Sequence, residues 1–267
     1  MNGDDKMLGI VFEGGGAKGA YQIGVWKYLK EKNIKIDGIV GTSVGAINSA
    51  IFAMGDIGFA EKMWTEISLD KILKGNIKKM EFPKEFSTTM SKDLDELENI
   101  FINNKNGFDI SPMKEMIKEN INEKYIRKSN IDLGLVTYNL SKRKLVEVFL
   151  EDIEKGNLYK YIIASSYLPL FKAERIKGDY YIDGGFFNNL PINMLVKKGY
   201  KKIISVRLRP DNYDYSKYKN VEVIEIGPDE SLGGSLEFDS QKISKNMQQG
   251  YLDAKKILSY TVDTLIG

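Results

Sequence analysis

The chain has 267 residues, within the range of one α/β domain and long enough to bury a sizeable core. Its 42% hydrophobic and 28% charged residues are those of a soluble globular protein. With no cysteine and no histidine there is neither a disulfide framework nor the commonest zinc ligand, so no metal and no cofactor is expected. A formal charge of +2 is too near balance for a nucleic-acid partner, and no window approaches the roughly eighteen unbroken apolar residues of a membrane span. The polar start Met1–Lys6 lacks the pattern of a secretory leader, so a cytoplasmic chain is expected. Nothing in the sequence fixes an oligomeric state.

Residues 8–13 form a short apolar run, three glycines follow, and Ala17 to Leu29 repeat apolar residues at helical spacing. The pattern recurs at once, with a buried strand at Ile36–Val40, a tight turn at Gly41–Gly45 and a small-residue helix at Val44–Met54. Two such units in tandem predict a parallel sheet with right-handed crossovers. Residues 55–130 read differently, as a mostly helical insertion over the sheet and a candidate lid, with Met, Phe and Lys mixed at Lys78–Phe86. Further strands are predicted at 131–138, 144–149, 180–183, 202–207 and 221–226, and helices at 58–67, 111–121, 151–164, 191–198 and 240–260. The whole is expected to be a single domain of three α/β/α layers around a mainly parallel sheet.

Gly14-Gly15-Gly16-Ala17-Lys18-Gly19 satisfies G-x-G-x-x-G between a strand and a helix. A dinucleotide site would also require an acid near the end of the second strand, whereas Asp37 stands at its beginning. The other readings are a bare tight turn and an anion cradle of backbone N–H groups, such as an oxyanion hole requires.

Gly41-Thr42-Ser43-Val44-Gly45 is a G-x-S-x-G turn between strand and helix, the context of a nucleophile elbow. A helix N-cap would use the same serine but needs no flanking glycines. Without histidine the proton of Ser43 must go to an Asp, Glu, Lys or Tyr; Lys18 stands near the glycine turn, where its ordinary role is positive charge beside an anion, and Asp183 enters a double-glycine turn after a short apolar strand. Taken alone, Asp183-Gly184-Gly185 reads as a turn.

Together and in order, these three turns strongly resemble the patatin-like phospholipase family. The block Ala164-Ser165-Ser166-Tyr167-Leu168-Pro169 and the run Asn188-Asn189-Leu190-Pro191 add to the likeness. The resemblance implies a serine lipid acyl hydrolase of Ser-Asp dyad type, acting on phospholipids or related lipids. It implies Ser43 as nucleophile, Asp183 as base, an oxyanion hole around Gly14, Gly15, Gly16 and Ala17, and Lys18 at the family's basic position. Gly19, Gly41, Gly45, Gly184 and Gly185 would support the turns. A dinucleotide-binding enzyme and a catalytically silent lipid-binding module remain the alternatives.

Ser165 and Ser166 lack an elbow and read as ordering the turn before Pro169. The stretch Lys197–Asn220 mixes Lys and Arg with Tyr200, Tyr213, Tyr215 and Tyr218, and reads either as a solvated loop with snorkelling lysines or as a peripheral contact for an anionic membrane surface. In the last helix Ile243, Met247, Tyr251, Ala254, Ile257, Leu258 and Leu265 share one stripe, predicted to pack on the core.

Overall fold

A computed structural model describes residues 8–75, 94–104 and 107–259. The polar start Met1–Lys6, the Lys78–Phe86 stretch and Leu265 lie outside the described residues.

The first unit forms as its pattern predicts. Strand β1, Leu8–Phe12, is buried along its whole length. The glycine run then makes a 3-10 turn at Gly16–Gly19 before helix α1, Ala20–Glu31, so the regular helix starts three residues later than Ala17. Strand β2, Gly38–Thr42, leads through Ser43 into α2, Val44–Met54. In the inserted region α3 spans Ile57–Glu66, α4 Leu94–Asn103, α5 Ser111–Asn120 and α6 Glu123–Ile126. Leu97, Phe101, Ile110, Met113 and Ile117 are buried in the same hydrophobic cluster as β1 and α1.

Strands β3, Asp132–Asn139, and β4, Lys144–Phe149, follow. The helix expected over 151–164 is interrupted. A 3-10 turn holds Leu150–Asp152, Gly156 adopts φ 83°, and the helix α7 begins only at Leu158 and runs to Ser165. Glu123 explains the late start, because its carboxylate accepts the N–H groups of Gly156 and Leu158 at 2.9 and 3.0 Å and satisfies the first turn from outside. Strand β5 is Tyr181–Asp183, α8 is Ile192–Lys197, β6 is Lys202–Val206 and β7 is Glu222–Ile226. The last helix, α9, spans Ser240–Leu258 and is capped by Asp239, which accepts the Lys242 N–H at 2.9 Å.

Among the described residues the strands form one seven-stranded sheet in the order β4-β3-β2-β1-β6-β7, with β5 also on β3. The pairs β1-β2, β1-β6, β2-β3 and β6-β7 are parallel, whereas β4 and β5 run antiparallel to β3. The chain therefore grows from β1 outward in one direction and later in the other. The split between the two directions opens a crevice at the C-terminal ends of the parallel strands, where α/β sheets bind their ligands. Helices α1, α2 and α9 pack on one face, while α8 with Leu190 and Tyr200 covers Val11, Val40, Val136 and Ile203 on the other.

The stripe of α9 packs inward, with Ile243, Ala254 and Leu258 buried. Its contact with α1 brings backbone against backbone: a Cβ on Gly250 would stand 2.0 Å from the Tyr21 carbonyl oxygen, and one on Gly24 would stand 1.9 Å from that of Met247. Tyr21 Oη donates to Asp253 at 2.8 Å across the same seam. Replacing Gly250 by Ala favours an isolated helix by about 1 kcal/mol, yet here it must push the two helices apart. We expect Gly250→Ala to lose about 1–3 kcal/mol net in a urea melt; a gain would mean that the helices do not meet at this glycine.

Candidate active site

The sheet register places Ser43 and Asp183 together. One edge of β3 is taken by β4 along Gly134–Asn139. The other edge pairs with β2 over Asp132–Val136 and then with β5 over Thr137–Asn139. Strand β5 thus continues the track that β2 leaves when the chain turns away at Thr42. Asp183, opposite Thr137, arrives at the end of β2 and beside the serine that follows it.

Ser43 has φ 57° and ψ −125°, a conformation that L residues rarely adopt. Its hydroxyl makes no capping bond to α2, which removes the N-cap reading. The turn is tight enough to exclude side chains on either flank: a Cβ on Gly41 would lie 2.3 Å from the Gly45 carbonyl oxygen, and one on Gly45 would lie 2.3 Å from that of Phe12. The Ser43 N–H donates to Ser165 Oγ at 2.9 Å, and Ser165 Oγ donates in turn to the Val136 carbonyl at 2.6 Å. Ser165 therefore holds the elbow itself, a role beyond the ordering of the turn before Pro169.

Asp183 is only 4% exposed. Burial pushes its carboxyl up to about 6, against the opposing pull of the Ser43 hydroxyl, which donates toward it, and of the Gly185 N–H. The Gly185 bond measures 2.7 Å, and Asp183's own N–H donates to the Tyr167 carbonyl at 2.8 Å. The loop before Pro169 thus holds the Asp183 backbone, and the double-glycine turn holds its carboxylate.

The glycine turn at 14–19 lies against the same pocket, and its amides are not equivalent. The Gly14 N–H donates to the Asn189 carbonyl at 3.2 Å and the Ala17 N–H to the Ser235 carbonyl at 2.8 Å, so neither is free to bind an oxyanion. Among the described residues no acceptor meets the N–H groups of Gly15 and Gly16, and both residues line the pocket with Ser43 and Asp183. Gly16 has φ 60°, and a Cβ there would fall 2.0 Å from the Ser235 carbonyl oxygen. The segment at Ser235 thus closes over the turn where a dinucleotide's pyrophosphate would have to sit. Asp37, the acid of that alternative, accepts the Leu8 N–H at the opposite end of the sheet.

Three polar side chains brace this geometry. Asn48, on α2, donates to the Gly19 carbonyl at 3.0 Å and to Gln22 at 2.8 Å, while accepting from Trp64 Nε1 at 2.9 Å. Gln22 donates to the Glu13 carbonyl at 2.7 Å. Asn189 donates to the Gly14 carbonyl at 3.1 Å. The asparagines at 188 and 189 carried a family likeness in the sequence, but nothing local marked Asn48 or Gln22. Lys18 is partly buried; that burial, and next the charge of Arg209, lower its pKa.

A cavity of about 150 Å3, the size of one that admits benzene, opens on Ser43. Its walls beyond the dyad are Val44, Ile47, Met63, Met113, Leu168 and Phe171 with further apolar groups, so the inserted region contributes through α3 and α5. In the Lys197–Asn220 stretch some of the basic and aromatic residues have partners within the fold. Lys197 pairs with Glu147, Lys198 with Asp132 and Glu151, and Tyr213, Tyr215 and Tyr218 pack on the sheet cluster beside α8. Among the described residues no helix is long and apolar enough to cross a membrane.

Comparison with known proteins follows the same geometry. The chain is 25% identical over 240 residues to "Probable lipid hydrolase 463L" of Invertebrate iridescent virus 6, covering 85% of this chain and 80% of that protein. It is 26% identical to human "Patatin-like phospholipase domain-containing protein 6" over 79% of this chain, yet spans only 14% of that longer protein. The crystal structure of VipD from Legionella pneumophila superposes on 96% of this chain and 67% of its own with a TM-score of 0.58 at 15% identity, a likeness of fold. The family model described as patatin-like phospholipase matches residues 10–196, from β1 through the dyad turns to α8. That match takes in well over half of the 267 residues, and the chain belongs to the patatin-like phospholipase family.

Proposed function

We propose that this chain is a serine lipid acyl hydrolase in which Ser43 is the nucleophile, Asp183 the base, and the N–H groups of Gly15 and Gly16 the oxyanion hole. The observation that carries the reading is a buried carboxylate facing a strained serine at the floor of an apolar cavity, with two uncommitted amides beside it. As Ser43 Oγ attacks the ester carbonyl, Asp183 takes its proton. The carbonyl oxygen, now negative, is held by the two amides. Collapse of that intermediate passes the proton to the leaving alcohol and leaves an acyl-enzyme. Asp183 then takes a proton from a water whose oxygen attacks the acyl carbon; collapse breaks the bond to Ser43 Oγ, returns the proton to that oxygen and releases the fatty acid.

The apolar wall suits the hydrocarbon of a fatty acyl chain. Met63, Ile67, Ile72, Met113 and Met116 come from residues 55–130, and in this reading the insertion builds the acyl-chain wall of a single hydrolase domain. The thioethers add adaptable surface, fitting a flexible chain better than a rigid ligand. Substrate is taken from dispersed lipid or from a membrane surface touched peripherally. The likeness in name to a lipid hydrolase and to a phospholipase domain supports the same class.

Active-site labelling with a fluorophosphonate tests the dyad. Wild type should label, Ser43→Ala should not, and Asp183→Asn should lose ester turnover by about 100-fold or more. Undiminished labelling of Ser43→Ala would remove the nucleophile, and unchanged turnover in Asp183→Asn would remove the base. Because the base must be ionised, kcat/KM should rise about tenfold per pH unit below pH 6 and level off above it.

The raised pKa also has a consequence for stability. Below about pH 4 the Asp183 carboxyl is protonated both folded and unfolded, and costs nothing. Between about 4 and 6 the unfolded form ionises while the folded form resists, so stability falls as pH rises, by on the order of 3 kcal/mol once above 6. Asp183→Asn should therefore melt at higher temperature than wild type at pH 8, and the gap should shrink by pH 4. An equal gap at both pH values would show that the buried carboxyl is not the cause.

A further inference from the structure

The pocket carries a second charge that the dyad does not use. Arg209 lies just beyond the C-terminal end of β6 and lines the cavity with Gly15, Gly16 and Ser235; its side chain is 31% exposed, between solvent and pocket. Its nearest carboxylate is Glu13, with Arg209 Nε 3.8 Å from Oε1, too far for a hydrogen bond. Among the described residues none of its five N–H donors meets an acceptor within hydrogen-bond distance.

Neighbouring Arg207 shows the contrast. It is fully buried and holds Asp211 at 2.6 Å, Glu13 at 3.3 Å and Glu225 at 3.4 Å. Glu13 is further occupied by the Leu208 N–H at 2.6 Å and by Asn189 at 3.3 Å. The carboxylates of this corner are concentrated on Arg207, and Arg209 is left with a share of one. Lys18 stands near enough for the Arg209 charge to lower its pKa, so a second cation presses on the same spot. A guanidinium two-thirds withdrawn from water with its donors idle is an arrangement that an incoming anion completes.

The geometry of attack indicates where that anion sits. With the ester carbon at Ser43 and its oxygen toward Gly15 and Gly16, the acyl chain takes the apolar wall of Met63, Ile72 and Met113. The alcohol portion then faces the remaining side, at Arg209 and Ser235. In a glycerolipid that carries a phosphate, the phosphate is only a few bonds from the acyl ester oxygen. We infer that Arg209 is a specificity-determining residue that binds, through a two-point contact, the phosphate of the substrate's alcohol portion. This rests on the hydrolase reading above and names, within it, a preference for phosphate-bearing esters over neutral glycerides.

The test compares a short-chain acylglycerol phosphate with the monoacylglycerol of the same acyl chain. Both are kept below their micelle concentrations, so that a charged lipid surface cannot stand in for the bound phosphate. In wild type the ratio of kcat/KM should favour the phosphate ester. In Arg209→Gln that ratio should fall by about tenfold or more, and Arg209→Lys, which keeps the charge but loses the planar fork, should fall between the two. Using a ratio within each variant cancels any general loss of folded protein. Ser43-dependent turnover with an unchanged ratio overturns the role of Arg209 and leaves the hydrolase standing. Turnover that survives Ser43→Ala, or its absence from wild type with both esters, overturns the hydrolase reading and this inference with it.

Discussion

The whole site depends on the contact between the end of β1 and the start of α2. Gly45 sits so close to the Phe12 carbonyl that even a methyl group would collide with it. That contact brings two turns, each at the end of a neighbouring parallel strand, within reach of a single reacting atom. It also forces Ser43 into a backbone conformation that costs of order 1–3 kcal/mol. Such strain persists only where its surroundings over-determine it. Ser165 does so by accepting the elbow N–H while anchoring itself to Val136 on β3.

Once the two turns are in contact, their backbone groups must be directed. An amide that is to face an empty pocket has to be prevented from bonding elsewhere, and the neighbours on either side do this. Gly14 and Ala17 are tied down to Asn189 and Ser235, which leaves Gly15 and Gly16 between two fixed points with their N–H groups unclaimed. Asn48 fixes the far end of the same turn through Gly19, and its bonds to Gln22 and Trp64 extend the network to α1 and α3. The side chains of Asn48, Gln22 and Trp64 are buried and paired, so a change at one leaves its partners unsatisfied, at about 1–3 kcal/mol each. The network is thus a frame around the two unclaimed donors that the proposed mechanism assigns to the oxyanion.

Much of this was legible in the sequence, and the limits have physical causes. The strand-turn-helix units at 8–31 and 36–54 announced themselves because buried parallel strands are continuously apolar and their turns need glycine. The pairing of Ser43 with Asp183 could be read only through the family likeness, since a contact 140 positions apart arises from β5 extending the track of β2 along β3. Which glycine amides are free was not legible at all. That distinction comes from the backbone carbonyls of Asn189 and Ser235, remote in sequence from the glycines. The interruption between 150 and 158 escaped for the same reason, because Glu123 supplies the first-turn acceptor for α7 from across the fold. In the basic stretch at 197–220 the sequence does not show that Lys197 and Lys198 meet Glu147 and Glu151, or that Tyr213, Tyr215 and Tyr218 pack beside α8, since both depend on elements distant in the chain.

The absence of histidine changes what the protein must do with its carboxylate. An imidazole titrates near neutrality without help, whereas an aspartate in water, with a pKa near 3.9, is too weak a base to take a serine proton at an appreciable rate. Burial is the available remedy, because a low-dielectric setting raises the carboxyl toward the working range, but it destabilises the ionised form that must do the work. Two neighbours of Asp183 oppose this. The Gly185 N–H and the Ser43 hydroxyl favour the charged state enough to hold it at about 6 instead of letting burial carry it higher. In the proposed mechanism the Ser43 hydroxyl that favours the charged carboxylate also supplies the proton to be transferred, so favouring the base and poising the nucleophile go together. The Ser-Asp pair proposed here asks the fold to bury one residue and strain the other at adjacent strand ends, and the meeting of β2 and β5 along β3 provides that arrangement.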